Sequence, residues 1–306
     1  MSIMNQQREL SIRLVAPTVL LYGAGYPLGT ATVSVMSPFL VILLRFAMSA
    51  ILLWVIVAVR RIALPPRRLV LHAAIAGILT QAVQFLGLYW ALANGVSSGL
   101  ASLIVALNPV VTATVMSVLM GHREDRRGLL SLTLGTAAVI LACTPKLLAD
   151  HSIGLAIVAV VIGMLGLSLG GIYQGRYCAS VDPSVVTAIG LTAATPVAGI
   201  ATMLSPGHTT DWQRAMILLA VMTILTSVGA TTLYAACIRM SGARAASILF
   251  AVIPAAASVM AWIGLGESLY PFTIGALIIG AAACVIQSRA TPSAASDPIR
   301  DVARSH

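Results

Sequence analysis

PFLVILLRFAMSAILLWVIVAVRR, residues 38–61, is the stretch on which the reading of the fold turns. Between Pro38 and Val59 only Arg45 and Ser49 interrupt an otherwise apolar run. At 1.5 Å rise per residue, a helix of that length crosses a hydrocarbon core of about 30 Å. The run ends at Arg60-Arg61, with Arg67-Arg68 close behind. Short basic clusters of this kind mark the cytoplasmic loops of membrane proteins. Outward from this span, placed at 37–59, comparable runs lie near 12–33, 69–92, 96–119, 128–144, 153–177, 184–204, 215–237, 244–264 and 271–289. The connections between them carry turn formers such as Asn94-Gly95, Asp182-Pro183, Ser205-Pro206-Gly207 and Ser241-Gly242.

Composition agrees. The 306-residue chain is 59% hydrophobic and only 9% charged, with a mean hydropathy of +0.98, whereas a soluble domain carries about 25% charged residues. The fold class expected is therefore an all-α integral membrane protein of ten transmembrane helices. The net charge of +9 does not point to nucleic acid, because the basic residues sit in clusters between apolar runs and form no soluble basic face. Cys143, Cys178, Cys237 and Cys284 lie in or at the ends of apolar runs without a CxxC pair, so neither a metal site nor a disulfide framework is expected. No cofactor is implied. The first run, from Ile12, is long enough to span and lacks an A-x-A-like site, so no cleavable signal peptide is expected.

Charge sets the orientation. With the amino terminus in the cytoplasm and strict alternation, fifteen of the eighteen Lys and Arg residues fall on the cytoplasmic side. Lys146 and Arg214 fall outside, and Arg45 lies within a span. Both termini are then cytoplasmic. The two halves also match each other at a constant shift of 145 residues: Gly25 falls on Gly170, Pro38 on Pro183, Tyr89 on Tyr234, Ala101-Ser102 on Ala246-Ser247, Pro109 on Pro254, Gly121 on Gly266 and Gly135 on Gly280. Five spans per half is odd, so the second half enters the membrane from the opposite side. This makes an inverted-topology repeat, with 1–150 as the first five-helix unit, 151–290 as the second, and 291–306 as a disordered, Pro/Ser-containing cytoplasmic tail. Transporters with this plan hold substrate near the midplane between the halves.

These residues resemble the EamA-like branch of the drug/metabolite transporter superfamily. The likeness is carried by Ala101-Ser102…Pro109…Gly121, by Ala246-Ser247…Pro254…Gly266-Glu267 and by Arg45-Phe46, and covers roughly 12–289. It implies a central cavity lined by the first four spans of each half, in a multi-pass protein of the inner (cytoplasmic) membrane. It further implies the export of metabolites, with aromatic and other neutral amino acids foremost and drug or other metabolite carriage as the alternative within the fold. His122 stands where the second half has Glu267, so the Gly-Glu pair occurs once.

Several polar or helix-breaking residues inside the spans are candidates for the work. Arg45 either reads a substrate carboxylate or packs structurally, holding backbone carbonyls. Gln81 and Gln84, three apart and so on one helical face, either line the cavity or hydrogen-bond a neighbouring helix. Tyr22, Tyr26, Tyr89 and Tyr234 are interfacial anchors or gating and stacking residues. Asn108-Pro109 and Pro254 interrupt the hydrogen-bond ladders of the fourth and ninth spans, as a cavity wall and hinge or as a static kink. Gly25 and Gly170 belong to small-faced spans that pack closely or bend. Glu267 is the one acid that could couple transport to an ion; otherwise it suits a helix amino terminus, and export is facilitated. An intramembrane enzyme lacks the acid pair, HExxH or Ser/His dyad it would need at depth. A channel lacks a ring of like charge. The partners expected are a small-molecule substrate and membrane lipid, with the chain a monomer.

Overall fold

The computed structural model describes residues 12–119, 153–205, 207–247 and 253–266, together with isolated positions at 130–137, 249 and 274–282. Expected spans five and ten lie almost wholly outside the described residues, and Glu267 and the tail 291–306 lie outside them altogether. All the elements described are helical: α1 Ile12–Val33, α2 Pro38–Val59, α3 Arg67–Gly77, α4 Gln84–Ala93, α5 Ser98–Val105, α6 Asn108–Leu119, α7 Ile153–Tyr177, α8 Pro183–Leu204, α9 Trp212–Met222, α10 Thr231–Ser247 and α11 Ile253–Leu265. A π-helical segment, Ile78–Val83, joins α3 to α4, and a second, Thr223–Ala230, joins α9 to α10. Both begin at equivalent positions of the 145-residue repeat, since Ile78 falls on Thr223.

Helices are what a lipid environment permits, because each backbone N–H must find its partner within the segment. Their starts carry local signals. Pro38 and Pro183 occupy the first turns of α2 and α8, where a missing N–H costs nothing. Asp182 accepts from the Ser184 N–H and Asp211 from the Arg214 N–H, each at 2.9 Å, satisfying orphan donors at the starts of α8 and α9. Gly95 turns the chain after α4 with φ 89°, a conformation glycine adopts freely.

Among the described residues, six helical stretches, three of them joining more than one element, are long and apolar enough to cross a membrane: Pro38–Val59, Arg67–Ala93, Ser98–Val118, Gly154–Tyr177, Pro183–Leu204 and Trp212–Met240. Helix α1 is as long as α2 but carries Tyr, Thr, Pro and Gly through its middle, which dilutes its hydropathy. The outward surface is apolar, with Ile51 and Ile162 on helix middles and Met203 and Leu204 on a helix end all exposed. Such a surface suits lipid and would be an aggregation hazard in water.

The packing interleaves the halves. Helix α2 lies along its repeat mate α8, α1 lies on α11, and α7 lies against α3, the first π segment and α4. The ends sort into two faces. One, the basic face, joins the start of α3 to the end of α7 and the start of α8, where Val57, Ala73, Cys178, Val181 and Val185 share a small core and Arg239 meets Asp182 at 3.7 Å. At the other, distal face, Thr210 N–H donates to Val35 O at 2.9 Å, tying the α1–α2 turn to the α8–α9 turn. First helix α1 runs from the basic to the distal face and its mate α7 runs the other way, the antiparallel relation of an inverted repeat.

Two elements differ from the sequence reading. The fourth span is not one helix: α5 stops at Val105, Ala106-Leu107 form a turn, and α6 starts at Asn108. Pro109 is the second residue of a new helix, α6, so it starts a helix where the reading had it kink one; Pro254 lies in α11, and the residues just before Ile253 are outside the described ones. Ser241-Gly242, read as a connection, lies inside α10. Neither residue lacks an N–H, so the helix tolerates the roughly 1 kcal/mol cost of a glycine.

Candidate transport site

The site is built around Arg45, placed by α2 in the interior with 1% of its surface exposed. Its Nε–H donates to Ser227 Oγ at 2.5 Å and its Nη1–H to the Tyr89 hydroxyl at 3.1 Å. The guanidinium carbon lies 4.3 Å from the centre of the Phe85 ring, a cation–π geometry that partly replaces lost hydration. Of the five N–H donors of an arginine, the two described bonds use two. No carboxylate among the described residues contacts it; Asp182 and Asp211 cap helices at the two faces. A buried charge without an opposite charge is costly, and among the described residues hydroxyls and an aromatic face are what offset that cost here.

Around Arg45 lies a cavity of about 20 Å³ lined by Tyr22, Gly25, Tyr26, Gln84, Phe85, Leu88 and Thr226, room for a single water. Gln84 Oε1 is buried there without a hydrogen-bond partner. Nearer the basic face is a second cavity of similar size. It is the more polar, with Thr80, Gln81, Gln174, Thr187 and Thr231 in its wall, and Gln81 Oε1 is likewise buried and unpartnered. Tyr22 lines both cavities and meets Tyr234 edge-on, centroids 5.9 Å apart. The central space is thus two small chambers on either side of one tyrosine. Gln81 lies in the π segment and Gln84 begins the regular helix after it, and the two amides serve different chambers.

Each chamber is closed toward its own face. On the basic side, Gly77 and Gly190 bring helices α3 and α8 into backbone contact, leaving no room for a Cβ at either residue. There His72 Nδ1 lies 2.8 Å from the Tyr173 hydroxyl, and its ring stacks on Tyr177 at 4.6 Å. On the distal side Thr32 Oγ1, which donates to Leu28 O at 2.7 Å, lies 3.1 Å from Met222 Sδ, and the Tyr89 hydroxyl approaches the same sulfur at 3.8 Å. Beyond them an open vestibule of about 310 Å³, with Trp90, Asn94, Ser205 and His208 in its wall, faces the distal surroundings.

The sequence candidates distribute unevenly. Arg45, Tyr22, Tyr26, Gly25 and Gln84 meet at one chamber, and Gln81, Tyr22 and Tyr234 at the other. All four tyrosines are buried in the core, away from any interfacial belt. Asn108 lines neither chamber: it accepts from Ser168 at 2.6 Å and from Thr112 at 3.2 Å, tying α6 to α7. Gly170 packs on Thr80 of the first π segment and Gly25 on Thr226 of the second. Sequence reasoning missed Phe85, Ser227, Met222, Thr226 and Gln174. Gln174 was findable, as a polar residue near the end of an apolar run; a lone serine, threonine, methionine or phenylalanine in such a run carries no signal.

The architecture of two interleaved, oppositely directed halves around polar chambers has a counterpart in sequence. The EamA-like transporter family matches residues 10–144 and again residues 154–289. The chain belongs to the EamA-like transporter family. It is a multi-pass membrane protein. Members similar to it include the uncharacterized inner membrane transporter YedA of Escherichia coli K12, 28% identical over 186 residues, and the protein of that name in Escherichia coli O157:H7, at the same identity. The matched segment is 61% of this chain and 60% of each relative, so the chain spans less than two thirds of the length of the curated relatives it matches. A solved crystal structure at 17% identity superposes over 91% of this chain and 98% of its own, with a TM-score of 0.66. That likeness extends to the fold alone.

Proposed function

We propose that this transporter exports small zwitterionic or neutral metabolites, amino acids with aromatic or other neutral side chains foremost, by alternating access between the two chambers. The reading rests on the chamber at Arg45. A guanidinium with spare donors suits a carboxylate, the unpartnered Gln84 Oε1 suits an ammonium, and Tyr22, Tyr26 and Phe85 offer aromatic walls. A doubly charged phosphate ester would call for several Lys or Arg, and Arg45 is the one Lys or Arg lining either chamber. Each chamber has room for only about one water, so the solute enters only when a face opens. We further propose that the chain acts as a monomer in the inner membrane with both termini cytoplasmic, which makes the distal face the outer one. Neither chamber is lined by an acid among the described residues, which favours facilitated export down the solute's own gradient.

Flux into proteoliposomes tests this. Neutral amino acids should equilibrate without an imposed proton or sodium gradient, and their amidated and N-acetylated analogues should move far more slowly. Arg45→Ala should lower carboxylate-solute flux roughly 30-fold or more, as for loss of one partner of a buried charge pair. Equal flux of acid and amide through the intact protein would sink the substrate assignment. Accumulation above equilibrium under a pH gradient, abolished by Glu267→Gln, would replace facilitation with coupling.

A further inference from the structure

Between the Arg45 chamber and the distal vestibule lies a single layer of buried side chains, and its contacts form a continuous run. The Thr32 hydroxyl of α1, which donates to Leu28 O of its own helix at 2.7 Å, lies 3.1 Å from the sulfur of Met222 at the end of α9. The Tyr89 hydroxyl of α4 meets that sulfur from the other side and accepts from Arg45 of α2. Arg45 then donates through Nε to Ser227 of the second π segment. Every member is at most 1% exposed. Four transmembrane segments from both halves are thereby tied across one level. The ties are unequal. Thioether sulfur is a weak acceptor, so the two contacts at Met222 hold little, whereas both bonds from the guanidinium are charge-assisted and stronger. Arg45 alone links α2 to both α4 and the π segment.

The acceptors Arg45 now uses are neutral hydroxyls. A carboxylate takes two parallel N–H bonds from a guanidinium, shorter and about twice as strong as bonds between neutral groups. A solute carboxylate reaching this chamber therefore outcompetes Ser227 and Tyr89 for the same donors. The chamber must also widen to admit it, since it has room for only about one water. We propose that Arg45 is the latch of the distal gate, held shut by Ser227 and Tyr89 and released when a solute carboxylate takes over its donors. The first clause, the latch, stands on the bonds alone; the second, its release, rests on the carboxylate-bearing substrate proposed above.

Cysteine accessibility separates the two. In a background with Cys143, Cys178, Cys237 and Cys284 replaced by serine or alanine, Thr226→Cys places a thiol in the chamber wall. A membrane-impermeant maleimide applied from the distal side should label it slowly. Adding Ser227→Ala or Arg45→Ala should raise that rate about tenfold, as for loss of one charge-assisted bond holding a closed state, and Tyr89→Phe should raise it less. Ser227→Ala removes only a hydroxyl and keeps the test alive if Arg45→Ala fails to fold. Unchanged labelling in a folded Ser227→Ala protein overturns the latch. With Arg45 intact, a neutral amino acid should raise labelling several-fold, its amide should not, and neither should act on Arg45→Ala. If Ser227→Ala opens the gate while no carboxylate solute does so or is transported, the latch stands and the substrate reading fails. If carboxylate solutes are transported without raising labelling, release by the carboxylate fails and the substrate reading survives.

Discussion

The two halves meet twice in equivalent ways, once where α7 packs on the first π segment and α4, and once where α1 packs on the second π segment. The backbones are related by the repeat, yet the two contacts are built differently. Helix α7 presents Gly163, Gly166, Gly170 and Gly171, where α1 presents Thr18, Leu21, Gly25 and Tyr26. A methyl group placed on Gly170 would come within 2.5 Å of Thr80 Cγ2, and one on Gly166 within 2.9 Å of Leu79 O. One placed on Gly25 would lie 3.3 Å from Thr226 Cγ2. The α2–α8 pair repeats the contrast, since Arg45 falls on Gly190, and Gly190 meets Gly77 backbone to backbone. One contact is closed by the absence of side chains, the other by side chains that bond across it. Symmetry thus supplies two contacts of similar geometry and different chemistry: backbone packing at the basic face, and hydrogen-bonded side chains beside an aromatic-walled chamber toward the distal face.

The contrast breaks if glycines at the two contacts tolerate the same change equally. Gly77→Ala puts a Cβ 2.0 Å from Gly190 Cα, and backbone cannot swing aside as a side chain can. Overpacking of that kind should cost about 3 kcal/mol or more, seen as a lower unfolding temperature and reduced yield of monodisperse protein. Gly25→Ala meets only the end of a threonine and gains helix propensity, so its cost should stay under about 1 kcal/mol. Matching losses in the two variants would show that the interfaces are equally tight.

A smaller effect, on selectivity, sharpens the division of labour between chambers. Gln84→Leu and Gln81→Leu each remove a buried acceptor that has no partner, so stability should change little. Gln84→Leu, beside Arg45, should weaken discrimination between an amino acid and its N-acetyl derivative in competition assays, and Gln81→Leu should do so less. Lost yield with unaltered preference in both would assign the amides to helix packing.

The smallest effect concerns how firmly the basic face is shut. Cys178, in the turn after α7, packs with Val57, Ala73 and Val185, and burial pushes its thiol up to about 11. The protonated form prevails at neutral pH and is a poor nucleophile. Maleimide labelling of Cys178 at pH 7 should therefore be slow and should rise with pH toward 11. Rapid labelling at pH 7 would mean that this face opens readily, against the tight contact seen at Gly77 and Gly190.

Much of this protein is written locally. Apolar runs long enough to cross lipid, proline at the starts of α2 and α8, and a gapless 145-residue repeat are linear features, and each reports a demand of the bilayer that one segment meets alone. Arg45 and the two glutamines stood out for the same reason, as polar groups where lipid tolerates few. What each does depends on what faces it, and no linear pattern records that. Ser227, Phe85 and Met222 are unremarkable letters in apolar stretches, and they matter because α2 and α4 bring Arg45 and Tyr89 to them. The π segments leave no composition signal, yet they separate Gln81 from Gln84 into different chambers. Pro109 shows the same limit: the sequence shows that a ladder must break near it, and packing decides that it begins a new helix. Segment-level energetics choose the spans and their direction; the meeting of helices distant in sequence decides which polar groups find partners, which stay unpaired, and so where a solute can bind.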